Sequence, residues 1–362
     1  MKKLFKSEAS LNFASSVTAI IAGLIIGLIV IIIANPSNAL NGFLTLIQGG
    51  FSNGTRGIGQ VLNNATPIIL TGLSVGFAFK TGLFNIGTPG QFVVGAFVAI
   101  YIGVEWTFLP GAIHWLVAIL FAALAGALWG CVPGIMKAYL NVNEVIASII
   151  MNYIGMYTVN YIVPLTVFNI NKNETLPVAS SAVIPQFGIE HLIPNVNGGI
   201  VIAIILVVVI HIILNKSVLG YELKACGFNR DASKYAGINA KQKIVCSMMI
   251  AGALAGIGGA LVYLGGTGKC LAVVDTLAPE GFNGIAVALL GLSSPFGILA
   301  AGLFIAHLTI GGSLMQIYGF IPQIVDIIIA IIIYFSAFAL MVKGIIANGF
   351  HFKKKPKVKE GQ

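Results

Sequence analysis

Long runs of apolar residues, separated by short polar stretches, dominate this chain. Most hold about 20 residues, the length that an α-helix needs to cross the hydrocarbon core of a bilayer. The runs cover residues 13–34, 60–79, 85–104, 112–137, 144–165, 198–214, 244–264, 281–292, 296–315 and 322–343. The pattern predicts an all-α integral membrane protein with about ten transmembrane helices. Because run 281–292 is too short to cross alone, we expect it to form, with residues 265–280, a broken or re-entrant element covered by protein or water.

Composition supports the same class. The chain is 57% hydrophobic and 9% charged, with a mean hydropathy of +0.97, whereas a soluble domain carries about 25% charged residues. So few charged residues cannot cover the surface of a water-soluble protein. The start MKKLFKSEAS resembles a signal peptide in its charge order, but the apolar run 17–34 exceeds the roughly 7–15 residues of a cleaved signal. It is predicted to be a retained first span.

The placement of the basic residues predicts the orientation. Cytoplasmic loops carry an excess of lysine and arginine, and an even number of spans places both termini on one side. With that side cytoplasmic, all of the 20 basic residues lie inside except Arg56, Lys172 and Lys269. The prediction is a cytoplasmic N-terminus (1–12), one transmembrane domain (13–343) and a basic cytoplasmic tail (344–362) in a bacterial cytoplasmic membrane. The net charge of +9 sits in loops and termini without an aromatic-interleaved basic face, which argues against nucleic acid as a partner.

No catalytic, metal or cofactor site emerges from the sequence. A phosphate-binding Walker A loop needs G-x-x-x-x-G-K-[ST], and the candidate Gly82-x-x-x-x-Gly87 is followed by Thr88-Pro89 instead of the lysine. The four cysteines form no C-x-x-C pair, and the five histidines are scattered over different runs. Energy from ATP would therefore have to come through a separate protein.

Glycines recur at every fourth position in several runs. The longest series is Gly126, Gly130 and Gly134, and Gly252 with Gly256 forms a shorter one. Small residues at this spacing let membrane helices approach closely. These faces are predicted to pack within the chain rather than between subunits.

The polar segment 215–243 differs from the other connections. After Gly220 it suggests a short amphipathic element, and Asn229 follows as a possible helix cap. Ala232, Tyr235 and Ala236 then form a small apolar face, which ends at Gly237. Two interpretations are open from the pattern alone: a solvated connector, or a helical segment that docks on another protein.

Four stretches together resemble one known family. KACGFNRDASKYAGI at 224–238 is similar to R-A-x-G-x-N-x-x-A-A-x-Y-A-G-I, and GLFNIGTPGQ at 82–91 to G-L-F-N-I-G-A-E-G-Q. NEVIASIIMNYI at 143–154 is similar to N-E-V-I-x-x-x-M-L-N-Y-I, and GFNGIAVALLG at 281–291 to G-F-D-G-I-A-V-A-L-L-G. These patterns are typical of ABC-importer permeases of the branched-chain amino acid/ribose/nucleoside superfamily. The chain resembles most the longer permease of nucleoside importers.

The resemblance implies the type II ABC importer architecture and three protein partners. A second permease would complete the pathway, a cytoplasmic ATP-binding cassette ATPase would supply the energy, and an external lipoprotein would deliver the substrate. Segment 215–243 would be the coupling loop that docks on the ATPase. Its candidate coupling residues are Lys224, which stands for the usual Arg, and the matching Gly227, Asn229, Ala232, Tyr235 and Gly237. Polarity and family position make six residues candidates for the pathway: Asn85, Gln91, Asn143, Glu144, Asn152 and Asn283.

The chain departs from the family pattern at two places. Thr88-Pro89 stands where the pattern has Ala-Glu, and Asn283 stands where it has Asp, so each departure removes a carboxylate. Glu144 has two open interpretations, as an acid that stabilises a helix N-terminus or as a gate. A sugar permease, an ion-coupled secondary transporter and a non-transporting scaffold are the alternatives for the function. Segment 81–91 is either a tight turn between spans or a break that lines the pathway.

Overall fold

The computed structural model describes residues 8–337. Its helices, numbered along the chain, are α1 Glu8–Ala34, α2 Ala39–Gln48, α3 Gly54–Lys80, α4 Thr88–Glu105, α5 Gly111–Leu140, α6 Glu144–Ile162, α7 Gly199–Lys216, α8 Val218–Phe228, α9 Arg230–Tyr235, α10 Ala240–Tyr263, α11 Pro279–Leu290, α12 Pro295–Met315 and α13 Gln323–Ala337. The predicted helical membrane fold is confirmed.

Eight helical stretches among residues 8–337 are long and apolar enough to cross a membrane, with the run from Pro36 to Lys80 counted as one. They correspond to eight of the ten predicted spans. The other two are α11, which has 12 residues, and α13, of which 15 residues are described. The end of predicted span 322–343, the basic tail and residues 1–7 lie outside the described residues. The count of ten is therefore approximate.

Two local elements differ from the sequence-based prediction. The polar segment between α6 and α7 contains a short antiparallel hairpin of β1 Phe168–Asn169 and β2 Glu174–Thr175, so the fold is not purely helical. Helix α2 was also not predicted. It is only ten residues long, too short to register as a membrane span.

Helix α3 forms the centre of the bundle. Its apolar side chains are buried almost all round the helix from Ala65 to Ala78, and it packs against α10, α11 and α12. A helix that is apolar on every side belongs inside the protein. The outer helix α5 leaves most of its large apolar side chains exposed and α1 leaves many of its own exposed, as expected of surfaces that face lipid.

The glycine series on α5 packs within the chain. A Cβ added at Gly130 would lie 2.5 Å from the carbonyl oxygen of Met248, and one at Gly134 would lie 3.0 Å from the Met248 side chain. Both contacts are with α10, the helix that also carries Gly252 and Gly256. The predicted intramolecular packing face is confirmed, because only glycine permits so close an approach of two helix backbones.

Two helices begin inside the bundle rather than at its surface. After Lys80 the chain turns back beside α3, and the Asn85 amide nitrogen donates to the Ser74 hydroxyl at 3.0 Å. Six residues of helix separate Ser74 from Lys80, which places Asn85 roughly 9 Å inside the end of α3. The first turn of α11 lies deeper, where the Thr71 hydroxyl donates to the Glu280 carbonyl at 2.9 Å.

These two helix starts meet each other. A Cβ added at Gly281 would lie 2.5 Å from the Cα of Pro89, so the first turns of α4 and α11 are in direct contact. Such irregular backbone is tolerated at membrane depth only where protein or water covers it. Here the protein covers most of it, since every second residue of the turn 81–87 and all of residues 88–93 are buried.

Candidate functional site

Segment 215–243 folds into two short helices at one end of the bundle. Helix α8 ends at Phe228, and the Asn229 side chain caps α9 by accepting from the backbone N–H groups of Asp231 at 3.0 Å and Ala232 at 2.9 Å. The predicted cap is confirmed. Gly237 then ends the segment with φ +79°, a left-handed conformation that glycine adopts without a Cβ clash.

Three contacts tie α8 and α9 to the bundle. The Glu222 carboxylate pairs with Lys243 of α10 at 2.6 Å, and the Arg230 guanidinium donates to the Ala138 carbonyl of α5 at 3.2 Å. The third contact joins two backbones: a Cβ added at Gly227 would lie 2.6 Å from the carbonyl carbon of Thr81. A displacement of α8–α9 would therefore act directly on α5, on α10 and on the turn that follows α3.

The opposite side of α8–α9 presents exposed aromatic rings. The side chains of Phe228 and Tyr235 are 91% and 94% exposed, and Tyr221 is 69% exposed. Lys224 is half-buried, while Ala232 and Gly237 are exposed. Exposed aromatic residues on a helical segment that is itself anchored to the bundle are typical of a protein-docking surface. We call Tyr221, Phe228, Ala232 and Tyr235 the docking face.

Three of the pathway candidates form one buried network beside the start of α4. Asn85 and Gln91 exchange two side-chain hydrogen bonds, of 2.8 and 3.1 Å. Asn152 of α6 accepts from the Gly90 N–H at 2.9 Å and donates to the Ile86 carbonyl at 2.9 Å. The Gly90 N–H lies in the first turn of α4 and has no partner within its own helix, so Asn152 caps that helix from a neighbouring one.

The other three candidates lie elsewhere. Asn143 caps α6 by accepting from the Val145 N–H at 2.8 Å, and Glu144 in the same turn pairs with Lys137 at 2.8 Å. Asn143 is thus the capping side chain, and Glu144 is an ion-paired acid in the first turn. Asn283 lines a separate cavity of about 140 Å³. The gate and pathway roles of these residues stay predictions.

The two departures from the family pattern lie close together. Pro89 touches Gly281 in the first turn of α11, and Asn283 follows two residues later. The sequence did not indicate this proximity, since about 190 residues separate the two motifs. Both missing carboxylates therefore belong to one region, where two helix N-termini meet.

Sequence reasoning missed two further groups of residues. One is the set of anchors under α8–α9, which includes Arg230 and Glu222. The other is the polar pair Asn63 and Asn64, which lines the same cavity as Asn283. Two adjacent asparagines inside a membrane span were the available signal, because polar side chains at that depth are costly and functional by default.

Comparison with known proteins identifies the family. Residues 57–337 match the family described as the branched-chain amino acid transport system / permease component. The chain is 40% identical to the guanosine ABC transporter permease protein NupP of Bacillus subtilis over 340 residues, which cover 93% of this chain and 95% of NupP.

Two further relatives have lower identity. The nucleoside ABC transporter permease protein NupB of Lactococcus lactis is 36% identical, with 90% of each chain covered. The glucose ABC transporter permease protein TsgB13 of Haloferax volcanii is 30% identical, with 90% of this chain and 87% of TsgB13 covered. No solved structure matches the chain. On the length of the family match and these identities, the chain belongs to the permease-component family of the branched-chain amino acid transport system.

Proposed function

We propose that this chain is the membrane-spanning subunit of an ATP-driven importer that takes up nucleosides into a bacterial cell. Both termini and α8–α9 would lie in the cytoplasm. A second permease would complete the translocation pathway, and an external lipoprotein would deliver the nucleoside. The chain itself would not hydrolyse ATP, which would be bound by a separate cytoplasmic ATPase.

One observation carries the choice of substrate. The 40% identity extends over 95% of a permease named for guanosine, and the relative named for nucleosides is 36% identical. The relative named for glucose is less similar, at 30%. These values favour a nucleoside, and a sugar is the second candidate. Competition for uptake by unlabelled guanosine, glucose and ribose distinguishes the two.

The docking face supports the proposal that a separate ATPase supplies the energy for transport. Tyr and other large aromatic side chains supply much of the binding energy at protein interfaces, and Phe228 and Tyr235 expose almost their whole surface. The ATPase would cover them and push or pull on the three anchors beneath. ATP binding can shift the permease only if the ATPase contacts its two states differently. The anchors give such a difference a route into α5, α10 and the start of α4.

The buried network suggests a positional role for three of the pathway candidates. Because Asn85 and Gln91 satisfy each other and Asn152 satisfies the backbone of Gly90 and Ile86, the three residues would hold the start of α4 at membrane depth. A translocating nucleoside would pass beside this region and not through it. The proposal for Asn143 and Glu144 is similar, since both stabilise the start of α6.

Uptake by membrane vesicles that contain the chain with its cognate ATPase, second permease and lipoprotein tests the proposal. We expect labelled guanosine to accumulate only when ATP is supplied. Accumulation in vesicles that contain this chain alone and an ion gradient would contradict the proposal and favour a secondary transporter. ATP-driven accumulation of glucose or ribose without guanosine would move the assignment to the sugar class.

The docking face is tested by removing rings that make no contribution to the bundle. Tyr235→Ala and Phe228→Ala should prevent the ATPase from co-purifying with the permease, while membrane insertion stays normal because both side chains are exposed. Phe108→Ala is the matched control, since Phe108 is 76% exposed and lies in the connection between α4 and α5. Retention of the ATPase by both variants would show that the docking face lies elsewhere.

A further inference from the structure

A polar cavity lies between α3, α10, α11 and α12, away from the docking face. Its polar lining residues are Asn63, Asn64, Lys269, Glu280, Asn283 and Thr309. We call it the α3–α11 cavity. Sixteen residues of α3 separate Asn64 from Lys80, so the cavity is roughly 24 Å along the helix from the end that contacts α8. It therefore opens towards the opposite face of the bundle.

We propose that the α3–α11 cavity binds the pentose ring of the transported nucleoside, with the base held outside it. The inference rests on the proposed function and adds to it a place and a mode of recognition. It is carried by three observations, which are the size of the cavity, the chemistry of its lining and the absence of internal partners for that lining.

The size of the cavity selects a single small ring. Its volume is about 140 Å³, and a protein cavity of about 150 Å³ holds one benzene molecule. A pentose ring has a similar number of ring atoms. A purine nucleoside adds a two-ring base to the sugar, so the whole molecule does not fit and the base must project from the mouth, where the exposed Lys269 lies.

The lining suits hydroxyl groups. Asn63, Asn64 and Asn283 offer amide donors and acceptors, the Glu280 carboxylate offers acceptors, and Thr309 offers a hydroxyl oxygen. A sugar hydroxyl both donates and accepts, so each can be satisfied by one carboxylate or amide oxygen and one amide nitrogen. Glu280 and Asn283 are three residues apart on α11 and lie on one face of that helix.

Most of this lining has no partner within the part of the chain that the structure describes. The side chains of Asn64, Glu280 and Asn283 make no hydrogen bond or ion pair among residues 14–335. Polar side chains within a membrane protein are costly unless they are paired or line a hydrated path. A polar ligand in the cavity would supply the missing partners.

Two of the lining residues are held in place by hydrogen bonds from residues that do not line the cavity. The buried Asn197 donates its amide to the Asn63 side-chain oxygen at 2.8 Å, which leaves the Asn63 amide nitrogen available to a ligand. The Thr71 hydroxyl donates to the Glu280 backbone carbonyl at 2.9 Å and fixes the first turn of α11. Groups that are already positioned lose less entropy on binding.

The test measures binding of three probes to the transporter in lipid nanodiscs, without the external lipoprotein. The probes are inosine, 2′,3′-dideoxyinosine and the free base hypoxanthine. We expect inosine to bind about tenfold or more tightly than its dideoxy analogue, the effect of one hydrogen bond to a charged group. Hypoxanthine should bind no better than the dideoxy analogue, because neither carries the vicinal hydroxyls that the cavity would recognise.

Two variants tie the discrimination to the cavity. Glu280→Gln keeps the shape of the side chain and Asn283→Leu removes its polarity, and each should weaken inosine binding about tenfold and leave the dideoxy analogue unaffected. Glu105→Gln is the control, since this exposed carboxylate ends α4 outside the cavity.

Two results overturn the inference. The first is that both cavity variants still prefer inosine to its dideoxy analogue as strongly as the wild-type transporter does. The second is that inosine does not bind to nanodiscs of the transporter although vesicles of the same transporter accumulate it. Failure of the proposed function looks different, because then wild-type vesicles accumulate no nucleoside with ATP.

Discussion

The contact between α8 and the turn after α3 gives the sharpest prediction. Gly227→Ala adds one methyl group that would lie 2.6 Å from the carbonyl carbon of Thr81 and 2.7 Å from the backbone nitrogen of Gly82. Both neighbours are backbone atoms, which cannot rotate away. Ordinary contact begins at 3.4 Å, so α8 must move by about 0.8 Å, and overpacking of this kind costs about 1–3 kcal/mol.

The displacement should uncouple ATP hydrolysis from uptake. If the Gly227 contact carries motion from the docking face into the start of α4, a coupling energy of about 1–3 kcal/mol corresponds to a change of roughly 5–150-fold. We therefore expect ATP-driven guanosine uptake by vesicles to fall at least about fivefold, while the ATPase still co-purifies because the exposed rings of Phe228 and Tyr235 remain.

A matched glycine provides the control. Gly111 starts α5, and a Cβ added there would be 3.7 Å from its nearest neighbours, all in Ser181, so Gly111→Ala should transport normally. Wild-type uptake by Gly227→Ala would refute the reasoning, because it would mean that the two backbones separate without consequence. Loss of the protein from the membrane would instead make the contact a requirement for folding.

Three further outcomes follow from the packing. Asn152→Leu leaves the buried Gly90 N–H without its acceptor, so the free energy of unfolding of the purified permease in detergent should fall by about 1–3 kcal/mol. Gly252→Leu should lower the yield of folded permease, because α10 lies against the backbone of α5 there and the side chain would force the helices apart. Burial, and after it the carboxylate of Glu174, raise the pKa of the Cys270 thiol. Since the thiolate is the nucleophile, Cys270 should react slowly with a maleimide at pH 8, and Glu174→Gln should speed the reaction by lowering the pKa.

Each of these outcomes has a comparison that isolates its cause. Asn171→Leu changes an exposed asparagine and should leave stability unchanged, and equal stability of Asn152→Leu would contradict the capping role. Gly188→Leu adds a side chain where no atom lies within 4 Å, although a side chain at this positive φ costs about 1–2 kcal/mol. Labelling of Cys270 is read in a chain whose other three cysteines are serine, and an unchanged rate in Glu174→Gln would exclude the electrostatic contribution.

The sequence determined the class of the molecule and the outline of its parts. Apolar runs of about 20 residues require a bilayer, and they located eight of the helices that span it. Asn229 and Gly237 were predictable as a cap and a stop because both act within a few residues of themselves. The glycines of α5 were predictable as a packing face because their spacing is a property of one helix. Each of these signals is local or periodic along the chain.

The positions of the pathway candidates could only be decided by the tertiary structure. Asn85, Gln91 and Asn152 looked like polar residues exposed to a pathway, yet the folded chain pairs Asn85 with Gln91 and brings α6 against the start of α4, where Asn152 bonds to the backbone. The proximity of Pro89 and Gly281, more than 190 residues apart in sequence, arises because two helices begin inside the same bundle.

The same physical reason underlies both results. A polar side chain in a membrane protein must find a hydrogen-bond partner. The sequence shows which side chains need a partner but not which group supplies it. The partner of Asn152 is the backbone of Gly90 in another helix, whereas Asn64, Glu280 and Asn283 line a cavity. Composition and periodicity along one chain cannot separate these two cases, because the difference between them is which distant residue the fold places opposite each amide.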